Sequence, residues 1–174
     1  MPTSTLPPPH WRQPRWLAKA ALSLALILGG SAYAVERYRI GIDDQKRQCL
    51  PPYSVWLIDT HRREVARADT IAFLATDAMQ PWFGYGQTII KRAAGIPGDV
   101  IAVTATTTTV NGHPVGEGLA LAKTLQRPSA TLERTLTVPS AQVWMMGDTR
   151  DSFDSRYWGP LHQDRVIGSA YALW

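Results

Sequence analysis

After an apolar segment that ends at Val35, the chain has no stretch of helical periodicity of useful length, and this limits the folds open to it. Short runs of β-branched and aromatic residues follow one another instead. Turn residues separate them, including Asn111-Gly112, a strong hairpin signal. The predicted strands are 53–58, 70–74, 100–103, 135–138, 142–146 and 166–174. Residues 113–134 are less regular and are interpreted as an excursion from the main sheet. We therefore expect a mainly β, antiparallel domain over residues 49–174.

Residues 16–35 form the one segment of membrane length in the chain. Its uncharged part, 20–35, would span about 24 Å as a helix, and the four residues before it bring the length closer to the roughly 30 Å of a bilayer core. The segment predicts a transmembrane anchor. The alternative is a signal peptide with a cleavage site at Ala32-Tyr33-Ala34. The proline-rich residues 1–15 predict a disordered tail, and residues 36–48 a linker.

The charges flanking the apolar segment are similar in number on its two sides, so the positive-inside rule does not decide its orientation. A short tail before the segment and a large domain after it favour an amino terminus inside the cell. This predicts a single-pass protein of the inner (cytoplasmic) membrane with its domain on the periplasmic side.

The formal net charge of +4 is spread over scattered basic residues without a recognised nucleic-acid motif, so DNA binding is only a weak alternative. The single cysteine, Cys49, cannot form an intrachain disulfide, and no spacing of cysteine and histidine suggests zinc. The sequence implies no metal and no cofactor.

Lys91 lies in an extended apolar run, residues 88–94, which the turn residues 95–99 close. Alternation along a strand places Lys91 on one face with Ile89 and Ala93, and Arg92 on the other. A buried ammonium is costly, and a lysine avoids the cost by losing its proton, after which the amine can act as a general base. The alternative is a lysine at a strand edge that reaches water.

A polar segment near the carboxyl end, residues 147–160, contains Ser152, Asp154 and Arg156. In an extended chain these three side chains share a face. The serine hydroxyl and the carboxylate could orient a nearby lysine amine, and the arginine could hold the carboxylate. The alternative is a surface loop with one pair of opposite charges.

Together these segments resemble the motifs of the signal peptidase I family, which uses a serine–lysine dyad. Residues 91–99, KRAAGIPGD, are similar to the lysine motif Lys-Arg-x-x-Gly-x-Pro-Gly-Asp. Residues 147–156 are similar to the motif Gly-Asp-Asn-Arg…Ser-x-Asp-Ser-Arg, with Thr149 for asparagine and one residue fewer before Ser152. Residues 65–73 resemble the family's Arg-Gly-Asp strand segment, with Ala68 for glycine. The resemblance extends from about Cys49 to Trp174.

Within the family, the ending SRYWGP at residues 155–160 is most similar to the TraF-like conjugative transfer peptidases. Their nucleophile segment, Ser-x-Pro-x-Gly-x-Tyr, is similar to residues 49–56, where Cys49 stands for serine and Tyr53 for glycine. The resemblance implies that Cys49 attacks the scissile carbonyl and that Lys91 carries its proton. Ser152, Asp154 and Arg156 would support the lysine, and a backbone N–H near Cys49 would bind the oxyanion. Ser54 is the competing nucleophile.

The resemblance implies a membrane-bound endopeptidase that cuts protein precursors beside small residues at the −1 and −3 positions. Conjugative members mature pilin subunits of type IV secretion systems, and some join the new ends, because an amine can resolve an acyl-enzyme. We therefore expect pilin maturation, with a protein substrate and a membrane as partners. The alternatives are a general signal peptidase, a catalytically silent structural component of a transfer apparatus, and a Cys–His protease using His61, His113 or His162.

Overall fold

The structure is a computed structural model that describes residues 14–45 and 47–174. These residues divide into two compact units, the first ending at Tyr38 and the second covering Arg39–Trp174. Residues 1–13 of the predicted tail lie outside the described residues, and its last two residues, Pro14 and Arg15, instead begin a helix.

Helix α1, Pro14–Arg37, contains the predicted apolar segment. Proline is well suited to the first position of a helix, because its missing N–H would have no partner there. None of its 24 residues is buried. At 1.5 Å per residue the helix is about 36 Å long. The helix is long enough and apolar enough to cross a membrane. A signal sequence near an amino terminus has the same length and composition.

The second unit is built from antiparallel strands, as predicted. Strand bounds are β1 Tyr38–Ile42, β2 Val55–Asp59, β3 Thr70–Leu74, β4 Thr88–Gly95, β5 Val100–Val103, β6 Thr107–Val110, β7 His113–Glu117, β8 Arg134–Thr137, β9 Gln142–Met146, β10 Leu161–His162 and β11 Val166–Ala172. Helices α2, Ser129–Leu132, and α3, Ser155–Trp158, are single turns, and 3-10 turns occur at Asp77–Met79 and Gln163–Arg165.

The strands form two sheets. A seven-stranded sheet has the order β1-β2-β11-β3-β4-β9-β10, and a four-stranded sheet has the order β7-β6-β5-β8. Two predictions need correction here. Residues 36–48 are not only a linker, because β1 extends the larger sheet beside β2. The excursion at 113–134 is partly regular, because β7 pairs with β6 in the smaller sheet.

Strand β9 is buried on both faces and separates two hydrophobic cores. Val143 and Met145 pack into the first core with residues of β3 and β4, whereas Trp144 and Met146 pack into the second with residues of β5 and β6. This double burial explains why the strand sequence is a continuous apolar run without alternation. The strand next to β9 in the larger sheet is β4, which carries Lys91.

The turn that follows β4 is fixed by Asp99. Its carboxylate accepts hydrogen bonds from Arg67 Nη2 at 2.7 Å, from Asn111 Nδ2 at 2.8 Å and from the Ile96 N–H at 2.8 Å. The hydrogen bond from Arg67 is the main reason that the pKa of Asp99 is lowered to about 2. Because this pKa is depressed, the stabilisation is present at neutral pH and is lost as the pH falls towards 2. The neighbouring Ala68 adopts a φ of 70°, in the left-handed region that favours glycine, the residue of the family motif at this position.

Candidate active site

Strand β4 turns Lys91 into the protein interior. Ile89, Lys91 and Ala93 are buried and the residues between them are less so, which confirms the predicted alternation. On one edge of β4, Lys91 is opposite Ile71 of β3. On the other edge, the pairing of β4 with β9 begins one residue later, where Arg92 is opposite Met146. The chain leaving β9 therefore starts beside Lys91. The side chain of Lys91 has no exposed surface.

The loop that leaves β9, residues 147–154, supplies the partner of this lysine. Lys91 Nζ donates a hydrogen bond to Ser152 Oγ at 2.7 Å, and Ser152 is itself buried. Gly147 permits this arrangement, because a Cβ there would collide with the Ser152 side chain and approach the Cys49 carbonyl oxygen to 2.9 Å. The predicted contact between the serine hydroxyl and the lysine amine is therefore present.

Asp154 and Arg156 form a buried bidentate ion pair, but not in the extended chain that the sequence suggested. Asp154 is the N-cap of α3, and Arg156 lies inside that helical turn. Arg156 Nε is 2.8 Å from Asp154 Oδ1, and Arg156 Nη2 is 2.8 Å from Asp154 Oδ2. The extended interpretation was wrong because the Asp154 carboxylate also accepts the Arg156 N–H, a capping bond that starts the turn.

The Arg156 guanidinium ties the loop to the rest of the domain. It donates hydrogen bonds to five backbone carbonyl groups, which belong to Glu117, Gly118, Thr149, Arg150 and Ser152. Burial by itself would lower the pKa of Arg156, but the hydrogen bonds and charge of Asp154 outweigh it and the net pKa is raised. The guanidinium thus stays charged and fixes the backbone of Ser152.

Replacing Asp154 with asparagine should destabilise the domain by about 3–5 kcal/mol, because it leaves a buried guanidinium without its counter-charge. Processing activity should fall with it, since the same pair fixes the Ser152 loop. Asp151→Asn is the matched control, because the Asp151–Arg47 pair is exposed and should contribute about 1 kcal/mol or less. Urea unfolding of the three proteins measures the difference. Equal midpoints for Asp154→Asn and wild type would show that the buried pair does not stabilise the fold.

Cys49 stands at the start of a turn before β2. Its Sγ lies 4.0 Å from Gln45 Oε1, and its carbonyl oxygen accepts the Asp148 N–H at 2.8 Å. The side chain is partly exposed and the thiol is free. Cys49 and Lys91 line the same narrow cavity, whose volume is about 60 Å³. The structure thus brings the predicted nucleophile and the predicted base to one cavity.

A second ion pair, which the sequence reasoning missed, connects the two motifs. Arg92 Nε and Nη2 are 3.0 and 2.8 Å from the two carboxylate oxygens of Asp148. The hydrogen bonds that Arg92 donates to Asp148 raise the pKa of Arg92. Because the Asp148 N–H holds the Cys49 carbonyl, the pair links the lysine strand to the cysteine turn. Its signal in the sequence was the presence of opposite charges directly beside Lys91 and Gly147.

The competing candidates lie away from this cavity. Ser54 belongs to the backbone network that joins β2 to the end of the chain, through its N–H and the Trp174 carbonyl at 2.6 Å. Neither Ser54 nor any histidine is among the described residues that line the cavity containing Cys49 and Lys91. Over residues 14–45 and 47–174, no group of three or more histidine, cysteine, aspartate or glutamate side chains could hold a metal ion.

The comparison with protein families decides the classification. The family model described as signal peptidase, peptidase S26, matches residues 14–174. The chain belongs to the peptidase S26 signal peptidase family. The predicted family is therefore confirmed, whereas the TraF-like subgroup remains a prediction.

Curated members of the S26 family show similarity over part of their length. The chain is 32% identical over 110 residues to "Probable signal peptidase I-2" of Synechocystis sp., covering 63% of this chain and 48% of the relative. It is 31% identical over 115 residues to "Signal peptidase I" of Leptolyngbya laminosa, covering 65% and 54%. The match thus spans about half the length of these relatives.

A solved structure of a signal peptidase I from Enterococcus faecalis V583 is also similar to this S26 member. It is 31% identical and covers 62% of this chain and 97% of the solved chain, with a TM-score of 0.42.

Proposed function

We propose that this S26 family member is a membrane-anchored endopeptidase in which Cys49 and Lys91 form the catalytic dyad. The observation that carries the proposal is the complete burial of Lys91, with Nζ 2.7 Å from Ser152 Oγ in a cavity that Cys49 also lines. A lysine without exposed surface that donates to a hydroxyl and lines the same cavity as a free thiol has the components of an amine-assisted acyl transfer.

In this mechanism the neutral Lys91 amine accepts the proton of the Cys49 thiol as the sulfur attacks the scissile carbonyl carbon. The resulting ammonium then donates that proton to the leaving nitrogen, the C–N bond breaks, and a thioester remains on Cys49. Water, or an amine, attacks the thioester and loses a proton to Lys91. The C–S bond then breaks, and the Lys91 ammonium gives that proton to the sulfur, which restores the thiol. Ser152 Oγ accepts one Nζ hydrogen and so fixes the orientation of the amine. A backbone N–H near Cys49 binds the oxyanion.

The substrate class follows from two sources. The relatives are named signal peptidase I, which supports cleavage of leader-bearing protein precursors, and a general signal peptidase is the second candidate function on this ground. The ending of residues 155–160 resembles the TraF-like group and supports maturation of a pilin subunit in conjugative type IV secretion. We place the protein in the inner membrane through α1, with the peptidase unit on the periplasmic side.

Intact mass of a pilin-like precursor after incubation with the full-length protein in detergent tests this function. Wild-type protein should release the leader, and Cys49→Ala protein should not. If the product is cyclic, its mass should be lower than that of the linear mature chain by one water. A pilin product formed at the same rate by the Cys49→Ala protein would contradict the dyad. Equally fast processing of unrelated exported precursors would favour the general signal peptidase.

A further inference from the structure

A second, wider cleft also has Cys49 in its lining. Its volume is about 580 Å³, roughly ten times that of the narrow cavity that Cys49 shares with Lys91. The apolar part of its wall consists of Trp82, Phe83, Leu121, Leu125 and Phe153. The proposed dyad does not depend on this cleft, although Cys49 is part of its lining.

Phe153 holds the wall of the cleft in place. Its ring stacks on Phe83 at a centroid distance of 6.0 Å and on Tyr157 at 5.8 Å, and it lies 6.4 Å from the Trp82 ring. The opposite wall is attached to the same residues, because the Leu121 N–H donates to the Tyr157 hydroxyl at 2.9 Å. The cleft is therefore anchored to the loop of residues 147–154, and the contacts between its side chains hold it in a preformed shape.

The narrow cavity has the shape expected for the acyl half of a substrate. It lies between residues 42–45 and residues 87–90. Residues 88–90 pair with β3 on one edge, and the pairing of β4 with β9 on the other edge starts only at Arg92. An extended peptide can add to such a free edge. A volume of about 60 Å³ beside it admits only small side chains, in line with the small residues that the family implies before the cut. The leaving half of such a chain would extend beyond this cavity, and the wide cleft also has Cys49 in its lining.

We propose that the wide cleft binds the substrate segment on the carboxyl side of the scissile bond and selects a large apolar side chain near the new amino terminus. The inference rests on the proposed peptidase function. Apolar and aromatic walls gain most from burying side chains of that type.

The charges around the cleft suit this occupant. Asp44 and Asp151 contribute carboxylates to its lining, and Arg47 pairs with Asp151 at 2.9 Å. Cleavage converts an uncharged amide nitrogen into an ammonium group, which the Asp44 carboxylate would attract. The same position beside Cys49 would serve an amine that attacks the thioester, so one cleft could hold the leaving group in cleavage and the acceptor in end-to-end joining.

The test uses quenched fluorescent peptides that share an acyl half ending in alanine-glutamine-alanine and differ in leaving halves beginning with serine, leucine, phenylalanine or tryptophan. With full-length wild-type protein in detergent, kcat/KM should be higher for the large apolar leaving halves than for serine. Trp82→Ala should reduce that ratio by about three- to tenfold. Tyr85→Ala is the matched control, because Tyr85 is a similarly exposed aromatic of the same loop that does not line the cleft, and the ratio should stay unchanged.

A second variant adds a charge to the cleft lining without removing a packed residue. Thr124 is exposed and lines the cleft. With a fifth peptide added whose leaving half begins with lysine, Thr124→Glu should shift the preference from the apolar leaving halves towards lysine. Equal kcat/KM for all leaving halves, or equal ratios in Trp82→Ala and Tyr85→Ala proteins, would overturn the inference while leaving the peptidase intact. Loss of binding to lipid vesicles in Trp82→Ala without any change in the ratio would assign the rim to the membrane and also overturn it. No cleavage of any peptide by wild-type protein would overturn the proposed function, and this inference with it.

Discussion

Replacing Lys91 with methionine should reduce substrate processing by about a thousandfold, the scale of a lost general base, while the domain remains folded. Methionine has nearly the length of lysine and is apolar, so it fills the fully buried site without leaving a cavity or a charge. The rate of precursor cleavage measures activity, and urea unfolding measures folding of the same protein.

Two further variants sharpen the test of Lys91. Lys91→Arg should also be inactive, because a guanidinium does not release its proton at neutral pH. Lys123→Met removes an exposed lysine of the same domain and should leave the rate unchanged. Wild-type processing by a folded Lys91→Met protein would remove Lys91 from the mechanism.

Cys49→Ala should abolish processing, because alanine has no atom that can form the acyl-enzyme. Since Cys49 is the single cysteine of the chain and its side chain is partly exposed, iodoacetamide should inactivate the wild-type protein with one added group, which intact mass can count. The alkylated protein should retain the unfolding midpoint of the unmodified one, which separates loss of the thiol from loss of the fold.

Serine at this position tests how the lysine is used. Cys49→Ser should keep part of the activity, because a hydroxyl is the nucleophile that the family motif carries there, although it demands more of the base than a thiol does. Ser54→Ala should process normally, since Ser54 does not line the cavity that holds Lys91. An active Cys49→Ala protein that Ser54→Ala inactivates would transfer the role of nucleophile to Ser54.

Local pattern was enough to predict the features that depend on one strand. The two-residue alternation of β4 places Lys91 on the buried face of the strand, and this prediction needs no knowledge of the residues that pack there. Runs of β-branched and apolar residues bounded by turns predicted β3, β5 and β9 with the observed bounds. The hairpin at Asn111-Gly112 also follows from local chemistry, because both residues adopt the positive φ that this turn requires.

Features that depend on distant partners could not be predicted in this way. Nothing near β1 shows that it pairs with β2, and a β-favouring sequence does not indicate which of two sheets a strand joins. Arg156 lies in a helical turn because the Asp154 side chain caps that turn, and the sequence alone does not show that the capped turn is more stable than an extended segment. The Arg92–Asp148 pair spans two motifs whose relative position follows only from the β4–β9 register.

The position of β11 between β2 and β3 has a consequence for when the candidate site can form. Contacts between residues far apart in sequence slow folding, and the central ladder of the larger sheet cannot close until the last strand has been made. The ribosome adds the three parts of the site at well-separated times: Cys49 first, Lys91 later and Ser152 last. A chain made only as far as β10 therefore carries the thiol of Cys49 and the amine of Lys91 without the completed sheet on which their shared cavity is built.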